Sequence, residues 1–423
     1  MRIKSSGKPD VAMVAIEEGA PDASVAAVFT SNAIVAAPLI LSQRNLRSIS
    51  PLGGGRYGWS RGVVCTAGCA NAATGPDGLA DQERIAKGFA RGLGTDRERT
   101  LAMSTGVIGT RLPADRLGPE IARLARDGLS DGPEALAAAA EAMCTTDSRP
   151  KSATVHLMLP DRAGRPVPVT VSGIAKGVGM IHPQMATMLA ILMTDADVTP
   201  LVLHGMLRPV AARTWNQLTV DGDTSTNDTV FLFASGAAGT APVRGGSPEE
   251  AVLRDAVEAV ARSLARQQAA DGEGATTLIT CQVSGAADDA EARAVARAVV
   301  ASSLVKAAVH GRDPNWGRIA AAAGNARLTS AAVLEAAGLG TEEARRRAGT
   351  PVALDPACLR IAIGGRDVFD GVSLPFERAV VRRLMDATEV LFRLDLGVAD
   401  GRGEAFGCDL TEAYVVENAE YTT

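Results

Sequence analysis

The chain has 423 residues, 46% of them hydrophobic and 22% charged, which is enough apolar material for two or three cores. Its formal net charge is −5 with no basic stripe, so nothing in it suits a nucleic-acid binder. No run reaches ~18 apolar residues, the start MRIKSSGKPDVAMV lacks a leader's apolar core, and six cysteines are scattered, so no membrane span is expected and the expected compartment is a reducing cytoplasm.

Residues 11 to 16, 26 to 29, 34 to 41 and 63 to 66 are apolar, β-branched runs between turn residues, and each predicts a short strand. The glycine-rich segment 52 to 58 predicts an exposed loop. TAGCANAATG (66 to 75) predicts a tight turn lining a site. Cys65 and Cys69 stand four apart without a second ligand pair, so they read as small buried residues rather than a zinc site. A helix is expected over 81 to 93 with Asp81 as its N-cap, and two more near 115 to 127 and 132 to 143.

LAMSTGVIGT (101 to 110) runs from a strand into a turn. Its Thr105-Gly106 pair can offer a hydroxyl and a backbone N–H to one point, as an oxyanion hole requires, although an ordinary strand-ending turn has the same look. Thr145, Thr146 and Asp147 follow a helix end, where such residues usually cap or turn the chain. Strands near 153 to 159 and 167 to 172 form a hairpin around PDRAGRP.

The central stretch SGIAKGVGMIHPQMATMLAILMTD (172 to 195) breaks the backbone with glycines, Lys176 and Pro183, then enters an apolar strand from Met188. One hydroxyl, that of Thr187, sits at this entry. A Thr hydroxyl is a weak nucleophile unless a base stands beside it, and an N-terminal Thr carries that base as its own α-amine. The bond after Ala186 would have to break first. The ordinary reading is a Thr opening a buried strand.

Further on, a helix is expected from 200 to 213 and a strand from 229 to 234. Between them Asp221, Asp223 and Asp228 fail the calcium-loop template, since Thr226 and Leu232 occupy its Gly and Glu places. Ser247-Pro248-Glu249-Glu250 starts a helix that ends at DGEGA, where Glu273 between two glycines is free to point into a cavity. A long helix is expected near 288 to 302. VHGRDPNWGR (309 to 318) reads as a functional or subunit-contact loop, without a catalytic role for its residues. A helix near 375 to 387 lies between two strands, and Tyr414 to Val416 predict a final strand before Asn418 and Thr423.

Taken together, TSN, NAATG, STGVIG, TTD, KGVGMIHPQMATML, HGRDPNWGR and the ENAEYTT end resemble, in order and over nearly the whole chain, the ornithine acetyltransferase (glutamate N-acetyltransferase) family. Cys69 stands where the family usually has Asn, and members usually carry a further segment before the IKxSG-like start, so a late start is expected. The resemblance implies an α/β fold of layered sheets and helices of the ornithine acetyltransferase and aminopeptidase-like type. It implies self-cleavage between Ala186 and Thr187 into an α-chain (1–186, oxyanion hole and processing loop) and a β-chain (187–423), assembled as α2β2. It also implies catalytic roles for Thr187, Thr105 and Gly106, and substrate contacts from Thr145 or Thr146, Lys176, Thr187, Glu273, Asn418 and Thr423. The family has a D-x-D-T-S-T-x-D-T segment near its active site that is closely similar to residues 221 to 229. The implied reaction passes acetyl from N2-acetylornithine to glutamate with no metal and no resident cofactor, with acetyl-CoA as a candidate second donor. Two rivals are a self-processing amidohydrolase or aminopeptidase of related fold, and a binding protein with a decayed site.

Overall fold

The computed structural model describes residues 3–4, 7–182 and 188–420. Ala186, Thr187 and Thr423 lie outside the described residues. Among the described residues no helix is long and apolar enough to cross a membrane.

The first part of the chain runs β1 (Val11–Ala15), β2 (Ala23–Phe29), α1 (Ala37–Ile49), β3 (Tyr57–Ser60), β4 (Gly62–Cys69), α2 (Gly75–Gly92), β5 (Thr100–Val107), α3 (Ala114–Asp127) and α4 (Gly132–Met143). It continues through β6 (Lys151–Pro160), β7 (Pro166–Lys176), β8 (Leu189–Thr194), α5 (Pro200–Arg213), β9 (Leu218–Thr219), β10 (Thr229–Ala234), α6 (Pro248–Ala270) and β11 (Leu278–Ala286). The remainder is α7 (Asp289–Ala301), α8 (Ser303–His310), α9 (Trp316–Gly324), α10 (Ala331–Ala336), α11 (Thr341–Arg347), β12 (Arg360–Ile363), β13 (Arg366–Asp370), β14 (Val372–Ser373), α12 (Arg378–Leu384), β15 (Glu389–Asp395), β16 (Gly401–Cys408) and α13 (Glu412–Glu420).

Three sheets result, ordered β1-β4-β5, β3-β2-β10-β8-β7-β6 and β14-β13-β12-β15-β11-β16-β9. They stack with helices in layers. Helices α2 and α3 cover the outer face of the small sheet around Ile85, Phe89, Leu117 and Ile121. Its inner face meets the six-stranded sheet through Val25, Val63, Met103, Ile174 and Phe231. The other face of that sheet packs on α5 and α6 through Val171, Leu192, Leu232, Val257 and Leu264. The seven-stranded sheet closes beyond α6 and is covered by α7, α8 and α9. Strands buried on both faces read as unbroken apolar runs, which is why β8 and β10 were legible without alternation.

Several local expectations are corrected. Residues 37 to 41 are helical, not extended: Pro38 opens α1, and the helix buries Leu39, Leu41 and Leu46 while Ile40 faces out. The segment from 52 to 58 is only partly loop, since Tyr57 begins β3 and Gly53 is buried. Asp81 caps nothing. Helix α2 starts six residues earlier behind Pro76, and Asp81 is buried within it, paired with Arg84 (2.8 Å) and Arg111 (2.7 Å). Tyr414 to Val416 are helical as well. The Thr411 hydroxyl accepts from the Tyr414 N–H at 3.2 Å, and the helix satisfies its own backbone where a strand would need an edge.

Candidate active site

The small sheet delivers Thr105 and Gly106. In the parallel pairing of β4 and β5, Gly68 stands opposite Gly106. Gly106 holds φ +127°, and a β-carbon there would lie 2.2 Å from the Gly68 carbonyl carbon. Only glycine lets these two backbones approach so closely. Asn227, buried just before β10, pins the same strand end: its Nδ2 donates to Ala70 O (2.7 Å), Ser104 O (2.8 Å) and Ser104 Oγ (2.9 Å). Ahead of α2, Asn71 and Ala73 adopt left-handed φ of 48° and 56°, so the tight turn expected in TAGCANAATG falls at 70 to 74, its first four residues still belonging to β4. Cys65 and Cys69 are both buried, and the Cys69 thiol donates to Thr110 O at 3.2 Å.

Lys176 ends β7, almost fully buried. Its ammonium donates to Thr145 Oγ1 (2.7 Å) and Thr105 Oγ1 (3.2 Å), and lies 3.7 Å from Asp147 Oδ2. A cation is tolerated there because Asp147 is ionised beneath it. Burial alone would raise the Asp147 pKa, but Lys176, Lys151 and the Gly177 N–H outweigh it and hold the carboxyl at about 2. Lys151, wholly buried at the start of β6, binds both Asp147 (2.8 Å) and Asp271 (2.6 Å), tying the TTD turn to the end of α6.

Glu273 enters from the turn between α6 and β11. Its carboxylate accepts from Thr146 Oγ1 (2.8 Å) and from Asn418 Nδ2 on α13 (3.0 Å). Gly179 makes the room: a β-carbon there would fall 2.1 Å from Glu273 Oε2. Both threonines line the same cavity, Thr145 on the ammonium and Thr146 on the carboxylate.

Thr105, Gly106, Thr145, Thr146, Lys176, Glu273 and Asn418 line one cavity of about 130 Å³. Every described residue to which the resemblance gives a catalytic or substrate-contact role is among its lining. Ser225, Thr226 and Asn227 also line it, although their segment reads alone as a polar turn. Their sequence signal was the D-x-D-T-S-T-x-D-T match. In the structure the neighbouring Asp228 is a buried carboxyl that burial pushes well above its usual range, and its Oδ2 has no hydrogen-bond partner among the described residues. Such a group belongs at a packed site rather than a solvated turn.

A hydroxyl and a glycine backbone side by side, an ammonium and an opposed carboxylate define a pocket for acyl transfer on a small zwitterion, set in a layered α/β enzyme. The ArgJ family model matches residues 1–423. The chain is 43% identical over 422 residues to the arginine biosynthesis bifunctional protein ArgJ of Thermus thermophilus, covering 100% of this chain and 96% of that one. It is 41% identical over 423 residues to the chloroplastic protein of the same name from Ostreococcus lucimarinus, covering 98% and 84%. A crystal structure of the Bacillus halodurans protein aligns at 37% identity and TM-score 0.48, over 55% of this chain and 99% of that chain. This chain belongs to the ArgJ family, and it is an acetyltransferase of arginine biosynthesis.

Proposed function

We propose that the chain moves the acetyl group of N2-acetylornithine to glutamate through an ester on Thr187, after cleaving itself between Ala186 and Thr187. The observation that carries this reading is the convergence of Thr105, Gly106, Lys176 and Glu273 on one cavity, with Lys176 opposite Leu189, the residue two places after Thr187. In self-cleavage the Thr187 hydroxyl attacks the Ala186 carbonyl, the peptide becomes an ester, and water hydrolyses it. The freed α-amine, with a reference pKa of about 7.7–8.0, then serves as base.

In transfer, Thr187 Oγ attacks the acetyl carbonyl carbon while the α-amine takes its proton. Thr105 and Gly106 stabilise the oxyanion. The C–N bond to ornithine breaks, the proton passes to the leaving amine, and ornithine departs. The glutamate amine then attacks the ester carbon, the bond to Thr187 Oγ breaks, and the hydroxyl regains its proton. Lys176 faces the substrate carboxylate, and Glu273 with Asn418 faces its cationic end; the resemblance adds Thr423 as a further substrate contact. The relatives are named as bifunctional proteins, which supports a second donor, for which we propose acetyl-CoA. The working assembly in this reading is two α- and two β-chains in the cytoplasm.

Intact mass after purification tests the first step: two fragments dividing at Ala186 and Thr187 are expected. Thr187→Ala stays a single chain without transferase activity. A processed, active alanine variant overturns the mechanism, and hydrolysis of amino-acid amides without acetyl acceptance by glutamate overturns the substrate.

A further inference from the structure

The HGRDPNWGR turn takes no part in the chemistry above, yet its histidine touches a carboxylate that holds the turn carrying Glu273. His310 closes α8, and its Nδ1 lies 3.1 Å from Asp409 Oδ2. The Asp409 side chain is wholly buried and accepts from Thr276 N (2.8 Å), Thr276 Oγ1 (2.6 Å) and Thr277 N (3.0 Å), so it holds the far end of the turn that carries Glu273. On its other side, His310 Nε2 lies 3.5 Å from Glu412 Oε2, the first residue of α13. One imidazole therefore stands between a carboxylate fixed to the Glu273 turn and a carboxylate on the helix that brings Asn418.

That helix has few other attachments. Thr411 Oγ1 donates to Gly274 O (2.7 Å), and Asn418 reaches Glu273. Val415 and Val416 on it are exposed. Gly274 holds φ +66°, where a β-carbon would lie 2.3 Å from Tyr414 N, so turn and helix meet backbone to backbone with no side chain interleaved. The charged groups around His310 are Asp409 after β16, Glu412 on α13, Lys306 on α8, which donates to Cys408 O (2.7 Å), and Arg312 in its own turn, which donates to the His310 carbonyl and pairs with Asp386 (3.1 Å).

The two ring nitrogens of one imidazole thus face the two carboxylate-bearing segments, Nδ1 toward Asp409 and Nε2 toward Glu412. We propose that His310 is a positioning residue: standing between Asp409 and Glu412, it seats the C-terminal helix on the Glu273 turn and thereby sets how tightly the pocket holds the amino-acid substrate. The proposal rests on the reading of Glu273 and Asn418 as substrate contacts.

The test compares the purified, processed enzyme with His310→Gln, which keeps one donor, and with Glu412→Gln at a solvent-exposed position that leaves the core intact. Hydrogen exchange of residues 412–420 is measured beside KM and kcat for N2-acetylornithine, all at one near-neutral pH. Both variants lose protection of the helix and show a KM raised by about five-fold or more, while kcat changes little. A wild-type KM and wild-type protection in His310→Gln, or a loss confined to kcat, overturns the proposal. Should the wild type transfer no acetyl, the proposed function fails instead, and the exchange data with ornithine as the binding probe still decide the helix-docking claim.

Discussion

A β-carbon on Gly106 would sit against the Gly68 carbonyl, and one on Gly179 against the Glu273 carboxylate, but the two clashes differ in kind. The first meets rigid backbone in a left-handed conformation, so the oxyanion turn cannot yield. The second meets the far end of a side chain that can swing away. Gly179→Ala should therefore fold normally yet displace the Glu273 carboxylate from Thr146 and Asn418. The loss of one charged hydrogen-bonding position raises KM for N2-acetylornithine by about ten-fold, with a smaller effect on kcat. Steady-state kinetics beside a thermal melt check this, and an unchanged KM would remove Glu273 from the substrate contacts. At this scale the motifs were readable because chemistry dictates residue type: a hydroxyl, a glycine, an ammonium and a carboxylate are few in kind. Asn227 was not readable in that way, because its work is to satisfy backbone acceptors on a strand far away in sequence.

Helix α6 shows how local signals and long-range ones divide. Its start is written in the chain: Ser247 Oγ accepts from Glu250 N at 3.2 Å, with Pro248 in the first turn. Its end is not, because what anchors it there is Asp271 meeting Lys151 from β6 and Ser148 from the TTD turn. Lys151 carries much of the buried charge balance of that junction, so Lys151→Met should leave Asp271 without its cation and Asp147 with Lys176 alone, at a cost of about 3–5 kcal/mol of stability. Urea unfolding measures it, and a cost under about 1 kcal/mol would mean water reaches the junction. The misread elements have a common cause. Apolar β-branched runs at 34 to 41 and 414 to 416 suit either a strand or a helix, and only the presence of a pairing edge or an apolar groove decides between them. Asp81 was misplaced because Gly75, Pro76 and Gly78 look like breakers. Gly78 instead keeps α2 close to Asn71, whose Nδ2 donates to Gly78 O at 2.9 Å.

For the molecule as a whole, acid stability turns on groups that the layers bury. Burial, with Arg208 and Arg56 nearby, lowers the His204 pKa to about 4, and burial with Arg297 and Lys306 lowers that of His182 to about 3. As pH falls below 6.5 the unfolded chain takes up protons that the folded one refuses, so stability falls with pH until the folded values are reached. Asp147 acts in a different window. Its contribution is complete above the unfolded value of 3.8 and is lost as pH falls through about 2. His204 packs 5.4 Å from the Tyr57 ring, and its Nε2 has no hydrogen-bond partner among the described residues. His204→Phe should accordingly keep the packing and flatten the decline of the urea midpoint between pH 7 and about pH 4 by about one proton's worth. An unaltered slope would show that His204 is protonated in the folded state.

Composition, helix periods, caps and glycine turns act within a few residues, so the amino-acid order alone settled most element types, and its motifs, through the family they resemble, named the candidate residues of the site. Tertiary structure settled what depends on partners distant in the chain. Sheet order brought Thr105 on β5 beside Lys176 on β7, two buried faces turned apolar runs into central strands, and a helix seated on the Glu273 turn placed Asn418 in the cavity. The physical reason is range: hydrogen bonding along the backbone is local, whereas burial and charge pairing are decided by whichever surfaces the layers press together.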